Sequence, residues 1–385
     1  MALVALSAAA CSSNGLIDFA VAGAVRPATH AGLRVGGREV LAGDLHCHIL
    51  PPDAGYHVTR ELPETLDLAK AEHLDFVVLT PHMPARFYAD AEARAWTVAS
   101  EARLRSSVAA LAPALVVVPG MEYTDYGYGH VGVAFANLDE VLAEVSIDAA
   151  VARPELFFER WVAHGGLVTI NHPVLRPLAV APVRELHADL SWRGFSPAGL
   201  PAEVAWITTH AQSIETYNVA VSQLRDRLFL GDEDHSLREA AHLLDDTIRT
   251  QARRIAPVGG TDSHGHWLRA STFVLAEART EAAIRDAIVQ GRTCIRGPEA
   301  CTLEARSPGG PWRGVGDALG PTDVIEARAS MGAVTVLVSG AAPRSADAGE
   351  VVRVEVPRDR CVLVRAIVGE SWSAPIYVNC SFASL

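Results

Sequence analysis

From residue 63 to about residue 290, short apolar runs alternate with amphipathic stretches. Runs such as Phe76-Val-Val-Leu-Thr80 have the length and composition of strands that are buried on both faces in a parallel sheet. The predicted strands are 76–80, 115–118, 131–135, 167–170, 213–217, 255–258 and 272–275, and the predicted helices are 63–73, 89–111, 154–164, 237–250 and 281–290. Repeated βα units of this kind predict an α/β barrel.

Two segments break the alternation. Residues 174–209 are rich in proline and tryptophan and lack a clear period, which predicts a long loop over the mouth of the barrel. After Gly297-Pro298 the helical patterns stop, and short apolar runs between glycine, proline and alanine turns predict a small all-β domain. Its predicted strands are 301–306, 324–329, 334–338, 351–356, 361–368 and 376–378.

The first eleven residues are apolar and end in small residues and Cys11. This pattern resembles a bacterial lipoprotein signal, in which the cysteine is lipidated and becomes the mature N-terminus; a disordered apolar tail is the alternative. The predicted domains are a signal at 1–11, a lead-in at 12–39, a barrel at 40–297 and a β domain at 298–385. We therefore expect an exported protein, either periplasmic or membrane-anchored through a lipid on Cys11.

Cysteine placement agrees with export. Four cysteines lie late in the chain, at Cys294, Cys301, Cys361 and Cys380, and they allow three pairings among which the sequence does not choose. Disulfides would suit an oxidising compartment, whereas buried free thiols are an equally simple interpretation.

Composition excludes some classes of partner. The 385-residue chain has a formal net charge of −12, which argues against a nucleic-acid binder, because such a protein presents a basic face to phosphates. No apolar run long enough to cross a membrane follows the N-terminal stretch.

Histidine and carboxylate residues follow almost every predicted barrel strand. In Gly43-Asp44-Leu45-His46-Cys47-His48 the two histidines would share one face of an extended segment. The histidine and carboxylate residues at or shortly after the end of a predicted strand are His46, His48, His82, Glu122, His130, His172, Glu215, Asp262 and His264. The carboxyl ends of parallel barrel strands meet at one face, and imidazole and carboxylate are common ligands of transition metals. The sequence therefore predicts a site for several metal ions.

The order of these motifs resembles the polymerase-and-histidinol-phosphatase (PHP) superfamily of metallohydrolases over roughly residues 40 to 300. The motifs are His46-Cys-His48, Thr80-Pro-His82, Gly120-Met-Glu122, Gly129-His130, Asn171-His172-Pro173 and Thr261-Asp-Ser-His264. Ile214-Glu-Thr-Tyr-Asn218, Ala287-Ile-Val-Gln-Gly291 and the C-terminal Glu370-Ser-Trp372 resemble the CehA/McbA-like branch. His46-Cys-His48-Ile-Leu-Pro and Thr80-Pro-His82 instead resemble the PHP tyrosine-protein phosphatases. The resemblance implies a distorted (β/α)7-type barrel.

The resemblance also implies a ligand set for two or three divalent ions, zinc, manganese or iron. A first ion would be held by His46, His48, Glu122 and Asp262. Glu122 would bridge to a second ion, completed by His130 and His172. His82 and His264 would hold a third, with Asp53 as the ligand from the loop after His48 and His57 as the fallback.

Such a site predicts a hydrolase. A water shared by two divalent ions loses a proton near neutral pH and becomes a hydroxide nucleophile. Glu122, Asp262 and His264 are the predicted catalytic residues, and Glu215 is expected to orient a ligand. Arg86 and Arg269 follow motif segments and would grip an anionic group, unless they are solvated surface arginines.

The favoured reaction is phosphoester hydrolysis of a small anionic substrate. Hydrolysis of a carboxylic ester, carbamate or amide at the same site is the enzymatic alternative, and an inactive barrel in a surface lipoprotein that binds a ligand or glycan is the non-enzymatic one. An amidohydrolase with a carboxylated lysine on a strand is disfavoured, because the only lysine, Lys70, lies in a helical pattern. A serine esterase is disfavoured because no G-x-S-x-G elbow follows a strand.

Overall fold

The computed structural model describes residues 29–174, 178–180, 183–186, 191–195, 199–222 and 235–382. Cys11, the predicted signal at 1–11 and the first part of the lead-in lie outside the described residues. The expectations for that segment therefore stay predictions.

The strands up to residue 276 include those of a barrel. They are β1 (Arg34–Val35), β2 (Arg38–Cys47), β3 (Phe76–Leu79), β4 (His82–Pro84), β5 (Val116–Pro119), β6 (Met121–Asp125), β7 (Gly129–Ala134), β8 (Leu167–Ile170), β9 (Leu178–Val180), β10 (Val183–Leu186), β11 (Ser213–Asn218), β12 (Ala256–Gly260) and β13 (Thr272–Ala276). Besides the barrel strands, they comprise the edge strand β1, the separate pair β9 and β10, and β13, which pairs antiparallel with β2. The helices are α1 (Leu62–Ala71), α2 (Ala91–Leu111), α3 (Leu138–Glu144), α4 (Ile147–Ala152), α5 (Leu156–Ala163), α6 (Ala202–His210), α7 (His235–Gln251) and α8 (Glu281–Val289).

The barrel has seven strand positions among the described residues. β2 pairs in parallel with β3, and β3 with β5. The chain then bends, so that the short strands β4 and β6, which follow β3 and β5, pair in parallel in a second sheet ordered β4-β6-β7-β8-β11-β12. The amide of Asp262 donates to the His46 carbonyl at 2.7 Å and closes the ring between β12 and β2. The predicted fold class, a distorted α/β barrel followed by a mostly β region, is confirmed.

One strand runs against the others. β7 pairs antiparallel with both β6 and β8. Only residues 126–128 join β6 to β7, and so short a connection forms a hairpin and cannot form a crossover. The first residues of β7 therefore lie at the same end of the barrel as the last residues of its neighbours.

The prediction of one long loop at 174–209 was wrong in part. Residues 202–210 form α6, and β9 pairs antiparallel with β10. The helix buries Val204 and Ile207, three positions apart, against the barrel. This apolar stripe is short, and the proline and tryptophan around it hid the helical period.

After residue 276 the chain is mostly β. The strands are β14 (Thr293–Ile295), β15 (Leu303–Arg306), β16 (Arg313–Gly314), β17 (Ala318–Leu319), β18 (Val324–Ala329), β19 (Val334–Val338), β20 (Arg344–Ala346), β21 (Val352–Glu355), β22 (Val362–Val368), β23 (Ser371–Ser373) and β24 (Ile376–Val378). β13 pairs with both β2 and β14, β14 with β23, and β23 with β22. One sheet therefore runs from the barrel into the C-terminal region, and the division at 297/298 stays a prediction.

Both late cysteine pairs are disulfides in the structure: Cys294 with Cys301 and Cys361 with Cys380. Cys47 is a buried free thiol. Lys70 is exposed on α1, so it offers no carboxylated lysine to the barrel interior. In the described part of the chain, no helix has the length and apolar character needed to cross a membrane.

Candidate metal centre

The fold gathers the predicted ligands at one end of the barrel. They come from the end of β2, from the turns after β2, β8 and β12, and from the first residues of β4, β6 and the antiparallel β7. This set comprises His46, His48, His82, Glu122, His130, His172, Asp262 and His264. His130 belongs to this set only because β7 is antiparallel to its neighbours, which places the first residues of that strand at this end of the barrel.

Glu122 lies at the centre of the cluster. Its Oε1 is 3.0 Å from His46 Nε2, 3.2 Å from His130 Nδ1 and 3.5 Å from His172 Nε2. Its Oε2 is 3.4 Å from His82 Nε2 and 3.7 Å from His48 Nε2. One buried carboxylate thus faces five histidines, which is the arrangement expected of a residue shared between ions.

Three groups of side chains have ligand atoms within 4.8 Å of one another. They are His46 with His48 and Asp262, His46 with Glu122 and His172, and His48 with His82 and His264. The three groups agree with a centre for more than one ion, because each offers a compact set of nitrogen and oxygen donors.

Carboxylates behind the histidines fix which nitrogen faces inward. His46 Nδ1 lies 3.1 Å from Glu215, and the other oxygen of Glu215 accepts from the His172 amide at 2.7 Å. His48 Nδ1 lies 3.2 Å from Asp53. A ring whose Nδ1–H donates to a carboxylate presents its Nε2 lone pair to an ion. Glu215 therefore has the orienting position expected from the sequence.

Asp53 lies behind the cluster, not in it. One oxygen is 2.8 Å from His82 Nδ1 and the other 3.2 Å from His48 Nδ1. This position suits a residue that orients two ligands and does not favour the predicted role of Asp53 as a ligand. The fallback, His57, has its ring centre 4.5 Å from that of His264 and 4.8 Å from that of His82.

We expect Asp53→Asn to weaken the binding of an ion by His48, His82 and His264. The amide cannot accept from both imidazoles as a carboxylate does, so their orientation and basicity both fall, an effect of about ten- to a hundredfold on affinity. Mn²⁺ titration against a competing chelator measures it. The exposed Asp67→Asn, on α1, is the matched control and should keep the wild-type affinity. Equal affinities for the two variants would contradict an orienting role.

The backbone is strained at two of the candidate ligands. Asp262 has φ +53° and His172 has φ +25°, values in or near the left-handed region that non-glycine residues rarely adopt. Beside them, a Cβ on Gly260 would lie 2.3 Å from both the Glu215 carboxylate and the His46 Cβ, so only glycine fits there.

The pKa values of the histidines and carboxylates in the cluster depend on one another. Burial lowers the pKa of His46, but the carboxylates of Asp262, Glu122 and Glu215 more than offset it and raise this pKa well above its usual range. Burial raises the pKa of Glu122, yet His130 and His46 hold it well below its usual range. The carboxylates therefore favour the charged form of His46, and His46 in turn helps to keep Glu122 ionised.

Three buried atoms of the cluster have no hydrogen-bond partner among the described residues: Glu122 Oε2, His130 Nε2 and His264 Nε2. Buried polar atoms without partners are rare and destabilising. Here they accompany a donor set of imidazole nitrogens and carboxylate oxygens, the kind that holds metal ions. The residues present therefore fit divalent transition metals.

The two predicted substrate-binding arginines are each held by a carboxylate. Arg86 Nε donates to the buried Glu203, and Arg269 Nη1 donates to Glu72. Each guanidinium already has a carboxylate partner within the protein, so the structure does not favour the predicted grip on an anion.

The sequence reasoning missed three residues that support the cluster. Asn171 donates to Glu122 Oε1 at 2.9 Å, and Asn218 donates to both Glu215 and Asp262 at 3.2 Å. The fully buried Arg60 donates to the His48 carbonyl at 3.0 Å and to the Ser263 hydroxyl at 2.8 Å. Asn171 and Asn218 stand inside the motifs that resemble the family, whereas no pattern in the sequence singles out Arg60.

Comparisons with known proteins give structural similarities only. No protein-family model and no curated protein sequence matches the chain. A two-domain protein of Bacteroides vulgatus ATCC 8482 that contains a predicted PHP-like metal-dependent phosphoesterase has 16% identity and a TM-score of 0.47, over 92% of this chain and 99% of that one.

PsfC from Pseudomonas syringae PB-5123 has 12% identity and a TM-score of 0.37, over 67% of this chain and 93% of that one. The lesion-specific endonuclease PfuEndoQ from Pyrococcus furiosus has 14% identity and a TM-score of 0.36, over 70% of this chain and 62% of that one. At these identities and TM-scores the similarities do not establish a family.

Proposed function

We propose that the protein is a metal-dependent hydrolase of the PHP type, CehA/McbA-like in its motifs, and that it hydrolyses phosphoesters. The observation that carries the proposal is the position of Glu122, whose two oxygens face five histidines. Four of these histidines, His46, His48, His82 and His172, between them represent all three groups of candidate ligands. The motif order along the sequence supports the same assignment.

The chain would hold the ions through the residues already described. His46, His48, Glu122 and Asp262 suit one position, Glu122 with His130 and His172 a second, and His82 with His264 a third. When bound, such ions supply Lewis acidity and lower the pKa of a coordinated water. The carboxylates of Glu215 and Asp53 hold the imidazoles in the orientation that this binding needs.

In the proposed reaction the oxygen of a water molecule bonds to phosphorus and the bond from phosphorus to the leaving oxygen breaks. The leaving oxygen takes up a proton and departs as an alcohol or phenol. The candidate ligands at the solvent side of the cluster, His82, His264 and Asp262, have partly exposed side chains, so substrate would reach the site there. We propose Glu122, Asp262 and His264 as the catalytic residues.

A hydrolysis screen tests the proposal directly. Protein purified without chelator should contain more than one equivalent of transition metal by elemental analysis. Loaded with Mn²⁺, Zn²⁺ or Fe²⁺, it should hydrolyse phosphomonoesters or phosphodiesters faster than aryl carbamates and carboxylic esters. Preference for the carbamates or esters would support the alternative hydrolase, and a metal-free, inactive protein would leave the ligand-binding lipoprotein.

We also propose that the protein is exported and anchored by a lipid on Cys11. The two disulfides support an oxidising compartment, where such bonds persist. Intact protein should enter the detergent phase in a Triton X-114 partition, and Cys11→Ser should move it to the aqueous phase. Cys47→Ser, at a buried thiol remote in sequence, is the control and should partition as wild type. The same partition for Cys11→Ser and wild type would rule out the anchor and leave the enzymatic proposal untouched.

A further inference from the structure

Two tyrosines lie beside the histidine cluster with almost all of their side chains in solvent. Tyr56 is 84% exposed and Tyr126 is 81% exposed, more than any other large apolar residue in the described ranges. The remaining exposed large residues lie on α2, on α4 or just before β21: Trp96, Leu111, Val151 and Val351. A single exposed apolar residue is ordinary, but here the two most exposed ones both border the site.

One histidine ring lies between each tyrosine and the candidate ligand His82. The ring centre of Tyr56 is 6.4 Å from that of His57, which is 4.8 Å from His82. The ring centre of Tyr126 is 6.3 Å from that of His130, which is 6.2 Å from His82. The two tyrosines are therefore each one ring removed from His82, one of the candidate ligands with a partly exposed side chain.

The backbone that carries each tyrosine is fixed by hydrogen bonds. The His57 and Val58 amides both donate to the Ala54 carbonyl, and Val58 is fully buried. On the other side, the Asp125 carboxylate accepts from the Gly127 amide at 2.7 Å and the Tyr128 amide at 3.1 Å, which closes the β6–β7 turn around Tyr126. Both loops thus fix the backbone from which an aromatic ring extends into solvent, so a ligand that packs on the ring has little backbone to order.

We propose that Tyr56 and Tyr126 determine specificity by packing against a planar aromatic leaving group of the substrate. The proposal rests on the proposed phosphoesterase function and narrows it to aryl or heteroaryl phosphoesters. The phosphoryl group lies near His82, and the ring of the leaving group extends outward toward the two tyrosines. Hydrolysis breaks the bond from phosphorus to the aryl oxygen, water supplies the new oxygen on phosphorus, and the aryl oxygen leaves protonated as a phenol.

The test compares the binding of two non-hydrolysable probes, phenylphosphonate and methylphosphonate, to Mn²⁺-loaded protein by calorimetry. Wild type should bind phenylphosphonate about tenfold more tightly, because an aromatic pair gains stability beyond simple area burial. Tyr56→Ser with Tyr126→Ser should abolish this ratio and leave methylphosphonate binding unchanged. Tyr56→Phe with Tyr126→Phe should restore it, because the ring and not the hydroxyl makes the contact.

Trp96→Ser is the matched control, since Trp96 is an exposed aromatic residue on α2, and its ratio should equal the wild-type ratio. A wild-type ratio near one, or a ratio that survives both serine substitutions, overturns the proposal. Turnover of phenyl phosphate and ethyl phosphate separates the two proposals. Equal hydrolysis of both, unaffected by the serine variants, leaves the phosphoesterase standing without the tyrosine contact. Ring-dependent binding without hydrolysis of any phosphoester leaves the tyrosine contact standing without the phosphoesterase.

Discussion

Glu122→Gln is expected to remove most of the activity, lowering kcat/KM by at least about a hundredfold, or roughly 2.7 kcal/mol of transition-state stabilisation. Glutamine nearly preserves the volume of glutamate but lacks the negative charge that offsets repulsion between cations and that faces five histidines here. Its amide nitrogen would also point a donor at imidazole nitrogens already set to receive an ion. The bound metal should therefore fall by more than one equivalent.

The fold should survive this change, because the barrel core consists of apolar strand residues such as Val78, Val118 and Val258. Circular dichroism and elemental analysis of the same sample separate loss of metal from loss of structure. Glu101→Gln is the matched control: Glu101 is also buried, but it lies on α2 and pairs with Arg105 away from the cluster. A Glu122→Gln protein with wild-type metal content and wild-type turnover would show that Glu122 is not shared between ions.

Asp262→Asn has the second largest expected effect, the loss of about one equivalent of metal. Asp262 Oδ1 lies 3.2 Å from His48 Nε2 and 3.4 Å from His46 Nε2, so it completes the group formed by these three residues. Asparagine tolerates the φ of +53° at this position better than alanine does, which keeps the backbone in place. We expect metal affinity at this group to fall by at least about a hundredfold, roughly 2.7 kcal/mol.

The position formed by Glu122, His130 and His172 should still fill, because both histidines face Glu122, at 3.2 and 3.5 Å, and Asp262 is not one of its ligands. Metal content by elemental analysis should thus distinguish Asp262→Asn, which loses one ion, from Glu122→Gln, which loses more. Asp286→Asn, an exposed change on α8, should match wild type. Equal losses of metal in Asp262→Asn and Glu122→Gln would contradict the assignment, in which Asp262 holds one ion and Glu122 is shared between ions.

The elements that the sequence predicted best are those with strong local signals. The strands 324–329 and 334–338 have the predicted bounds, as has the barrel strand 167–170. Strands with alternating buried and exposed residues, or with an unbroken buried run, show the same pattern of apolar and polar residues in the sequence, so they can be predicted from it. Short elements without such a period were not predicted, among them β4, β6 and α3.

For the site, the sequence by itself determined which residue types follow which strands, because that depends on neighbours along the chain. This sufficed to name the eight residues that the fold brings together, and to expect Glu215 behind a ligand. It could not place Asp53, whose two oxygens are directed to His48 and His82 by the loop between residues 48 and 58.

Only the tertiary structure decided contacts between distant parts of the chain. Arg86 pairs with Glu203, and Arg269 pairs with Glu72, in each case across more than a hundred residues of sequence. The sequence predicted that both arginines bind the substrate, but in the fold their charges are already paired with these carboxylates. The buried Arg60 contacts Ser263 across a similar separation. The physical reason is that a charged side chain pairs with an opposite charge that the packed fold places within hydrogen-bond distance. For residues far apart in the sequence, the fold sets that distance and the neighbouring residues do not.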